Sequence, residues 1–242
     1  MKTDLARYYT EPSDTSKISK KFAGMFGDTP DKIMAEVRKR MIHPEECPFN
    51  FNIENWPRLK TAKDIEKAFL TPGADFGNCR AFSLACVAIM RAKGISARCR
   101  CGFATYFDLG FYEDHWVIEY MKGNKWQLTD AQTMKLRLKH GEFINGGAAW
   151  QLVRKCGFDP SLFGFSGNKD ISGKGLYYVI GNMIRDVSGL LKSELTYAGD
   201  GRLKKKALKL SKAELVLLDE ISEMILKEDI AGLKKTDISG FM

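Results

Sequence analysis

The sequence predicts an α+β protein, in which helical regions flank a buried helix and the strands that follow it. Residues 79–93 are apolar almost all the way round and end before Gly94, which indicates a buried helix. Residues 97–105 then alternate apolar side chains with arginine and glycine, a pattern typical of a strand with one apolar face. The regions before and after these elements have helical spacing of their apolar residues.

A single domain is expected from the chain length of 242 residues. We divide it into an N-terminal helical part (1–74), a core (75–135) and a C-terminal helical part (136–242). The composition is 44% hydrophobic and 28% charged, which is that of an ordinary globular protein and excludes disordered and fibrous classes.

The N-terminal part predicts two helices separated by a loop. Residues 29–42 form the first, with Thr29 as its cap and Pro30 in the first helical position. Residues 43–57 contain three prolines and are expected to be a loop. Residues 60–70 predict the second, shorter helix.

The core ends in a β-hairpin whose register has a chemical consequence. Residues 115–121 and 125–130 predict two strands joined through Gly123-Asn124, a favoured hairpin turn. This register places Val117 opposite Asp130 and puts His115 and Asp130 on one face as diagonal neighbours, with Cβ atoms roughly 7 Å apart. A carboxylate at that distance can accept a hydrogen bond from an imidazole and orient it.

The C-terminal part predicts helices again. Residues 147–157 end at Gly157, and residues 176–191 carry one apolar stripe at helical spacing. A last helix opens at Ser211, with Glu214 completing a capping box.

The net charge of +8 raises the question of an acidic partner. The densest run, residues 202–212, holds six basic residues and no acidic one. No aromatic residues interleave with them, and an acidic helix follows. We therefore favour a solvated charged face over a nucleic-acid surface, which stays as a weaker alternative.

The N-terminus lacks the apolar run of a secretory signal, and no stretch is long enough to cross a bilayer, so we expect a cytoplasmic protein with no membrane partner. Cysteines stay reduced there and are expected to be buried, metal-bound or catalytic. Cys99 and Cys101 share a strand face, which favours core packing over a metal site. We expect no metal or organic cofactor. The six cysteines are Cys47, Cys79, Cys86, Cys99, Cys101 and Cys156.

Cys79 differs from the other cysteines because it follows Gly77-Asn78 and opens the buried helix. The positive end of the helix favours a thiolate over a thiol, and a neighbouring imidazolium would favour it further. The N–H groups of a first helical turn can also donate to the oxyanion of a tetrahedral intermediate. A buried core thiol is the alternative, and Cys86 on the same helix is the inert control.

The stretches GNCRAFSLACVAIMRAKGISARCRCGFA, HWVIEY and WQLTDAQ resemble the core of the transglutaminase-like superfamily over about residues 70–135. The shared features are a Gly-x-Cys that opens a helix, an Arg-Ala-x-Gly-Ile-x-Ala-Arg exit, a His-Trp strand and an Asp that ends the next strand. The remainder is similar to uncharacterised bacterial transglutaminase-like proteins.

The resemblance implies a papain-like fold in which Cys79, His115 and Asp130 form a catalytic triad. Members of the superfamily cross-link proteins, hydrolyse peptide or glycan amides, or have lost activity. The residue after His115 is already Trp116, where many members have a small residue. Trp116 is a candidate substrate-binding residue, together with Asn78 and with Trp56, which could complete the oxyanion hole.

The leading hypothesis is a cysteine-dependent amide-bond enzyme, a hydrolase or acyl transferase that acts on a peptide or protein amide through an acyl-thioester. The alternative is a non-catalytic peptide- or protein-binding module on the same fold. Arg98 and Arg100 could line a cleft for an acidic substrate, although a solvated or salt-bridged strand face is the commoner outcome.

Overall fold

The computed structural model describes residues 2–46, 59–71, 75–167, 173–197 and 200–242. The chain is of the α+β class, as predicted. It divides into two compact units, the first made of Met1–Cys99 with Trp116–Leu138 and the second of Arg100–His115 with Lys139–Met242. The division into three sequential parts of one domain stays a prediction.

Ten α-helices and seven strands occur in the described ranges. The helices are α1 (Lys2–Tyr8), α2 (Lys20–Ala23), α3 (Pro30–Arg40), α4 (Ala62–Phe69), α5 (Cys79–Ala92), α6 (Gly146–Cys156), α7 (Leu176–Leu190), α8 (Asp200–Ala207), α9 (Lys212–Lys227) and α10 (Ile230–Lys235). The strands are β1 (Met41–Ile42), β2 (Asp75–Phe76), β3 (Ala97–Ala104), β4 (Tyr112–Lys122), β5 (Lys125–Thr129), β6 (Phe143–Asn145) and β7 (Phe163–Gly164).

A short parallel pair, β1 and β2, stands apart from a five-stranded sheet of order β5-β4-β3-β6, in which β7 pairs with β4. The β4–β5 hairpin has the predicted register, from Ile118 opposite Thr129 to Lys122 opposite Lys125. Its turn residue Gly123 has a φ of +59°, a conformation that glycine adopts without strain. The ladder stops at Thr129 because Asp130 bridges to Lys135 instead of continuing along β4.

Helix α3 begins at the cap that the sequence predicted, and α4 begins at a capping box that the sequence analysis did not identify. The side chain of Thr29 caps α3, and Thr61 forms a capping box with Asp64 at α4. Helix α3 ends at Arg40, two residues earlier than predicted, because Met41–Ile42 pairs as β1 with β2. Every residue of α5 from Cys79 to Arg91 is buried, which confirms the predicted buried helix.

The second unit is built around α7, whose residues from Val179 to Leu190 are all buried. Helix α6 ends before Gly157, which has a φ of +71°, and α9 starts with the predicted capping box of Ser211 and Glu214. One core contains residues of these helices and of β3 and β7, among them Phe103, Trp150, Phe163, Val179, Met183, Val187, Leu218 and Ile221.

Strand β3 is buried along its whole length, and of the solvated or salt-bridged face that the sequence favours for Arg98 and Arg100, the structure has the salt-bridged form. Arg98 is fully buried and its Nε lies 2.6 Å from Glu119 Oε2. Arg100 donates twice to the carboxylate of Asp186, at 2.8 and 2.9 Å. Both guanidinium groups are paired inside the protein because a charge buried without a partner is strongly destabilising.

Two observations concern surfaces. Arg202, Lys204 and Lys205 of α8 are exposed, as a solvated charged face requires. In the part of the chain that the structure describes, no helix combines the length and the apolar character that a membrane span needs.

Candidate active site

Cys79 is the first residue of α5, the position that the sequence predicts for it. The side chain of Asn78 caps this helix, since its Oδ1 accepts a hydrogen bond from the backbone N of Ala81 at 3.0 Å. The predicted substrate-binding residue Asn78 therefore has a structural function that fixes the first turn. Cys79 itself is 7% exposed.

Two further contacts hold this turn in place. A Cβ atom on Gly77 would clash with Met41 Sδ, so no larger residue fits before Asn78 without movement. The guanidinium of Arg80, 2% exposed, donates to the carbonyl oxygens of Leu59 and Lys60 at 2.9 and 2.7 Å. The start of α5 is thus tied to the chain that precedes α4.

Cys86 provides an electrostatic link between α5 and Asp130. Cys86 lies two turns beyond Cys79 on the same face, about 10 Å along the helix axis. Burial raises the pKa of the Cys86 thiol, and the negative charge of Asp130 raises it further. Asp130 therefore acts electrostatically on the same helix that begins at Cys79.

Asp130 is fully buried directly after β5, and its carboxylate is held by the turn that follows. Oδ1 accepts from the backbone N of Gln132 at 2.8 Å and from that of Thr133 at 3.3 Å. Oδ2 accepts from the hydroxyl of Thr133 at 2.6 Å. These bonds stabilise a buried charge that would otherwise be costly.

His115 lies on β4, at the end of a segment of the second unit, and is 2% exposed. The rings of Phe107 and Tyr106 meet its imidazole in T-shaped contacts, with centroids 5.0 and 6.2 Å away. Phe107 is 42% exposed and Leu109, two residues on, is fully exposed. The β3–β4 loop therefore packs two aromatic rings against the imidazole, and one of them, Phe107, is partly exposed.

A buried polar network supports the residue before His115. Asn182 Nδ2 donates to Asp114 Oδ1 at 2.8 Å and to the carbonyl oxygen of Gly102 at 2.7 Å, while its Oδ1 accepts from Arg185 at 2.9 Å. Burial raises the pKa of Asp114, although Arg185 and the hydrogen bonds from Asn182 and Tyr197 oppose the shift. Strand β4 is thereby bound to α7 directly beside His115.

The other predicted site residues have different environments. Trp116 is fully buried, and its Nε1 has no hydrogen-bond partner within the described ranges. Trp56 lies outside the described residues. Cys79, Asn78, Asp130 and Trp116 belong to the first unit and His115 to the second.

Sequence reasoning missed three residues of these surroundings. Tyr106 and Phe107 gave no periodic signal because they lie in a loop between strands. Thr133 did give a local signal, because an Asp followed three residues later by Thr can close a turn through side-chain hydrogen bonds.

Within the described residues, no three His, Cys, Asp or Glu side chains converge on a site that could hold a metal ion. Cys99 and Cys101 are fully buried in β3, which agrees with core packing. Of the five cysteines in the described ranges, only Cys156 is exposed.

The family model of the Transglutaminase-like superfamily matches residues 45–131. Over these residues the chain is similar to the transglutaminase-like superfamily. The matched range includes Cys79, His115 and Asp130, and the match confirms the resemblance that the sequence motifs indicated. The superfamily fold is one that cysteine-dependent enzymes use.

Among solved structures, a protein of Cytophaga hutchinsonii proposed to be a cysteine protease is similar to this chain, with a TM-score of 0.40 and 21% sequence identity. The similarity covers 57% of this chain and 44% of the other, less than half of that protein's length. No curated protein matches the chain. The transglutaminase-like assignment depends on the family model alone.

Proposed function

We propose that this protein is a cysteine-dependent amide-bond enzyme, a hydrolase or an acyl transferase. Cys79 is the nucleophile, His115 the general base and acid, and Asp130 the residue that orients His115. The observation that carries the proposal is the position of Cys79 at the start of a capped, buried helix, where the helix dipole favours the thiolate.

In the proposed reaction, His115 accepts the proton of the Cys79 thiol, and the sulfur attacks the carbonyl carbon of a peptide or protein amide. The C–N bond breaks, His115 returns the proton to the leaving amine, and an acyl-thioester remains on Cys79. Water or a second amine then attacks the thioester and releases the acyl group. No cofactor is needed for these steps, and we place the protein in the cytoplasm, where its thiols stay reduced.

Asp130 supports the proposal through its charge and its rigidity. It is fully buried, and its hydrogen bonds hold the carboxylate in one orientation. An orienting acid in a triad needs both properties, because it must accept from the imidazole in one tautomer and stabilise the imidazolium that forms.

The proposal is tested with p-nitrophenyl acetate, a small acyl donor that needs no knowledge of the natural substrate. We expect acetylation of Cys79, detected by mass spectrometry of its peptide, to be at least tenfold faster than that of the exposed Cys156 at pH 6. The same measurement on His115→Ala is expected to remove the advantage. Equal acetylation of Cys79 and Cys156 would contradict the proposal.

The acceptor is identified by the fate of the acetyl group. With water alone, a hydrolase clears the thioester within the assay, and Cys79 returns to the free thiol. A transferase retains it until an alkyl amine such as hexylamine is added, and N-hexylacetamide then forms in equal amount.

A non-catalytic peptide- or protein-binding module is the second candidate. The small exposed fractions of Cys79 and His115, 7% and 2%, favour it because an enzyme must bring both groups into contact with a substrate. In that case Cys79 stays as unreactive as the buried Cys86 at every donor concentration.

A further inference from the structure

The turn from Asp130 to Lys135 holds the Asp130 carboxylate in one position and one orientation. Two backbone N–H groups donate to Oδ1 of Asp130, and the Thr133 hydroxyl donates to Oδ2. The torsion between Cβ and the carboxylate plane of an aspartate is broad and has no single preferred value. Donors on both oxygens therefore set the plane of this carboxylate, and Thr133 supplies the side-chain donor.

The bond from Thr133 is of the strong kind. Its length of 2.6 Å is within the range of an O–H donor to an ionised oxygen, which is about twice as strong as a bond between neutral groups. Thr133 is itself exposed, so the hydroxyl is not kept there by burial. Threonine at position 133 therefore contributes through its hydroxyl group and not through packing of its side chain.

The rest of the turn keeps Thr133 in place. Asp130 N donates to the carbonyl oxygen of Lys135 at 2.9 Å, and the Thr129 hydroxyl donates to the same oxygen at 2.8 Å. From α3, Arg38 Nε donates to the carbonyl oxygen of Gln132 at 2.9 Å. The turn is thus bound at both ends and in its middle, and its geometry is imposed on Asp130.

We infer that Thr133 is a positioning residue that sets the orientation of the Asp130 carboxylate for the imidazole of His115. This inference rests on the proposed function of the triad. Thr133 contacts neither substrate nor the reacting atoms, and it acts through Asp130.

The test measures the acetylation of Cys79 by p-nitrophenyl acetate in the full chain, in the wild type, in His115→Ala and in three further variants. Thr133→Val removes the hydroxyl at nearly constant volume, and Thr133→Ser keeps it. Thr129→Val is the matched control, because it removes a hydroxyl from the same turn that does not donate to Asp130.

We expect Thr133→Val to lower the acetylation rate about tenfold, with a larger loss at pH 6 than at pH 8, where the thiolate depends less on the imidazolium. Thr133→Ser is expected to stay within twofold of the wild type at both pH values. Thr129→Val is expected to lower the resistance of the protein to urea. The ratio of its Cys79 acetylation rates at pH 6 and pH 8 is expected to stay as in the wild type.

Three outcomes overturn the inference. If His115→Ala slows Cys79 but Thr133→Val does not, the triad stands and Thr133 has no part in it. If Thr133→Ser loses as much as Thr133→Val, the effect comes from the turn rather than from the hydroxyl. If wild-type Cys79 reacts no faster than Cys156, the proposed function fails and the inference fails with it.

Discussion

Two buried aspartates, Asp130 in the first unit and Asp114 in the second, receive hydrogen bonds from different parts of the chain. The donors to Asp130 come from Gln132 and Thr133, no more than three residues away. Asp114 instead receives a hydrogen bond from Asn182 on α7, 68 positions along the chain. One carboxylate is supported by its own turn and the other by tertiary packing.

The difference indicates which of the two carboxylates can keep its charge and orientation when other parts of the protein move. Local donors persist as long as the turn is formed, so Asp130 keeps its orientation during small movements elsewhere. Asp114 depends on the contact between β4 and α7, and burial raises its pKa. We therefore expect a change at Asp130 to affect reactivity and changes around Asp114 to affect stability and its pH dependence.

The largest expected effect is that of Asp130→Asn. The amide has the shape of the carboxylate but cannot stabilise an imidazolium, and it favours the wrong tautomer of His115, so acetylation of Cys79 should fall at least a hundredfold. Asp114→Asn is the matched control and should stay within about threefold of the wild type. Equal losses in the two variants would remove the distinction between the aspartates.

Asn182→Ala is expected to cost about 2–4 kcal/mol of the free energy of unfolding, because it leaves Asp114 Oδ1 and the carbonyl oxygen of Gly102 buried with one donor fewer. Urea unfolding measures the loss. Thr133→Val in the same assay should lose about 1.5 kcal/mol, the low end for a hydrogen bond to a charged group, because Thr133 is exposed. A loss below 1 kcal/mol in Asn182→Ala would show that α7 does not support Asp114.

A smaller effect is expected in the pH dependence of stability. Because the pKa of Asp114 in the folded protein lies above its usual value of 3.8, the folded state binds this proton more readily than the unfolded state. The contribution of this group to stability thus falls as the pH rises from about 3.8 through the raised pKa. Asp114→Asn should remove that part of the slope in urea unfolding at a series of pH values, and an unchanged slope would contradict the assignment.

The smallest effect concerns the backbone of the Asp130 turn. Met134 has a φ of +57°, a left-handed conformation that costs side-chain-bearing residues free energy. Met134→Gly should change the free energy of unfolding by less than about 1 kcal/mol, because relief of strain offsets the added freedom of the unfolded chain. Met134→Ile, with a branched Cβ, should lose about 1 kcal/mol or more in thermal unfolding.

The part of the fold that the sequence predicted well depends on local chemistry. The hairpin register followed from the Gly123-Asn124 turn, and the helix starts followed from Thr29 and Ser211. The position of Cys79 followed from the apolar run that it opens, and the structure adds Asn78 as the cap of that helix. Each of these features is decided within a few residues.

What could not be predicted depends on partners far along the chain. The burial of Arg100 is possible only because Asp186, 86 residues away, accepts from it. The end of the β5 ladder at Thr129 was missed because the turn competes with β4 for the backbone of Asp130. The support of Asp114 by α7 gives no signal in a sequence window, whereas the contact of Thr133 with Asp130 does.

The aromatic residues beside His115 also give this imidazole a magnetic signature. The rings of Phe107 and Tyr106 produce ring currents, which shift the resonances of nearby imidazole protons away from their usual frequencies. The chain contains three histidines, so the shifted signals stand out against few others in a proton spectrum. The protonation state of His115 can therefore be followed directly by nuclear magnetic resonance, in the intact protein and without any substrate.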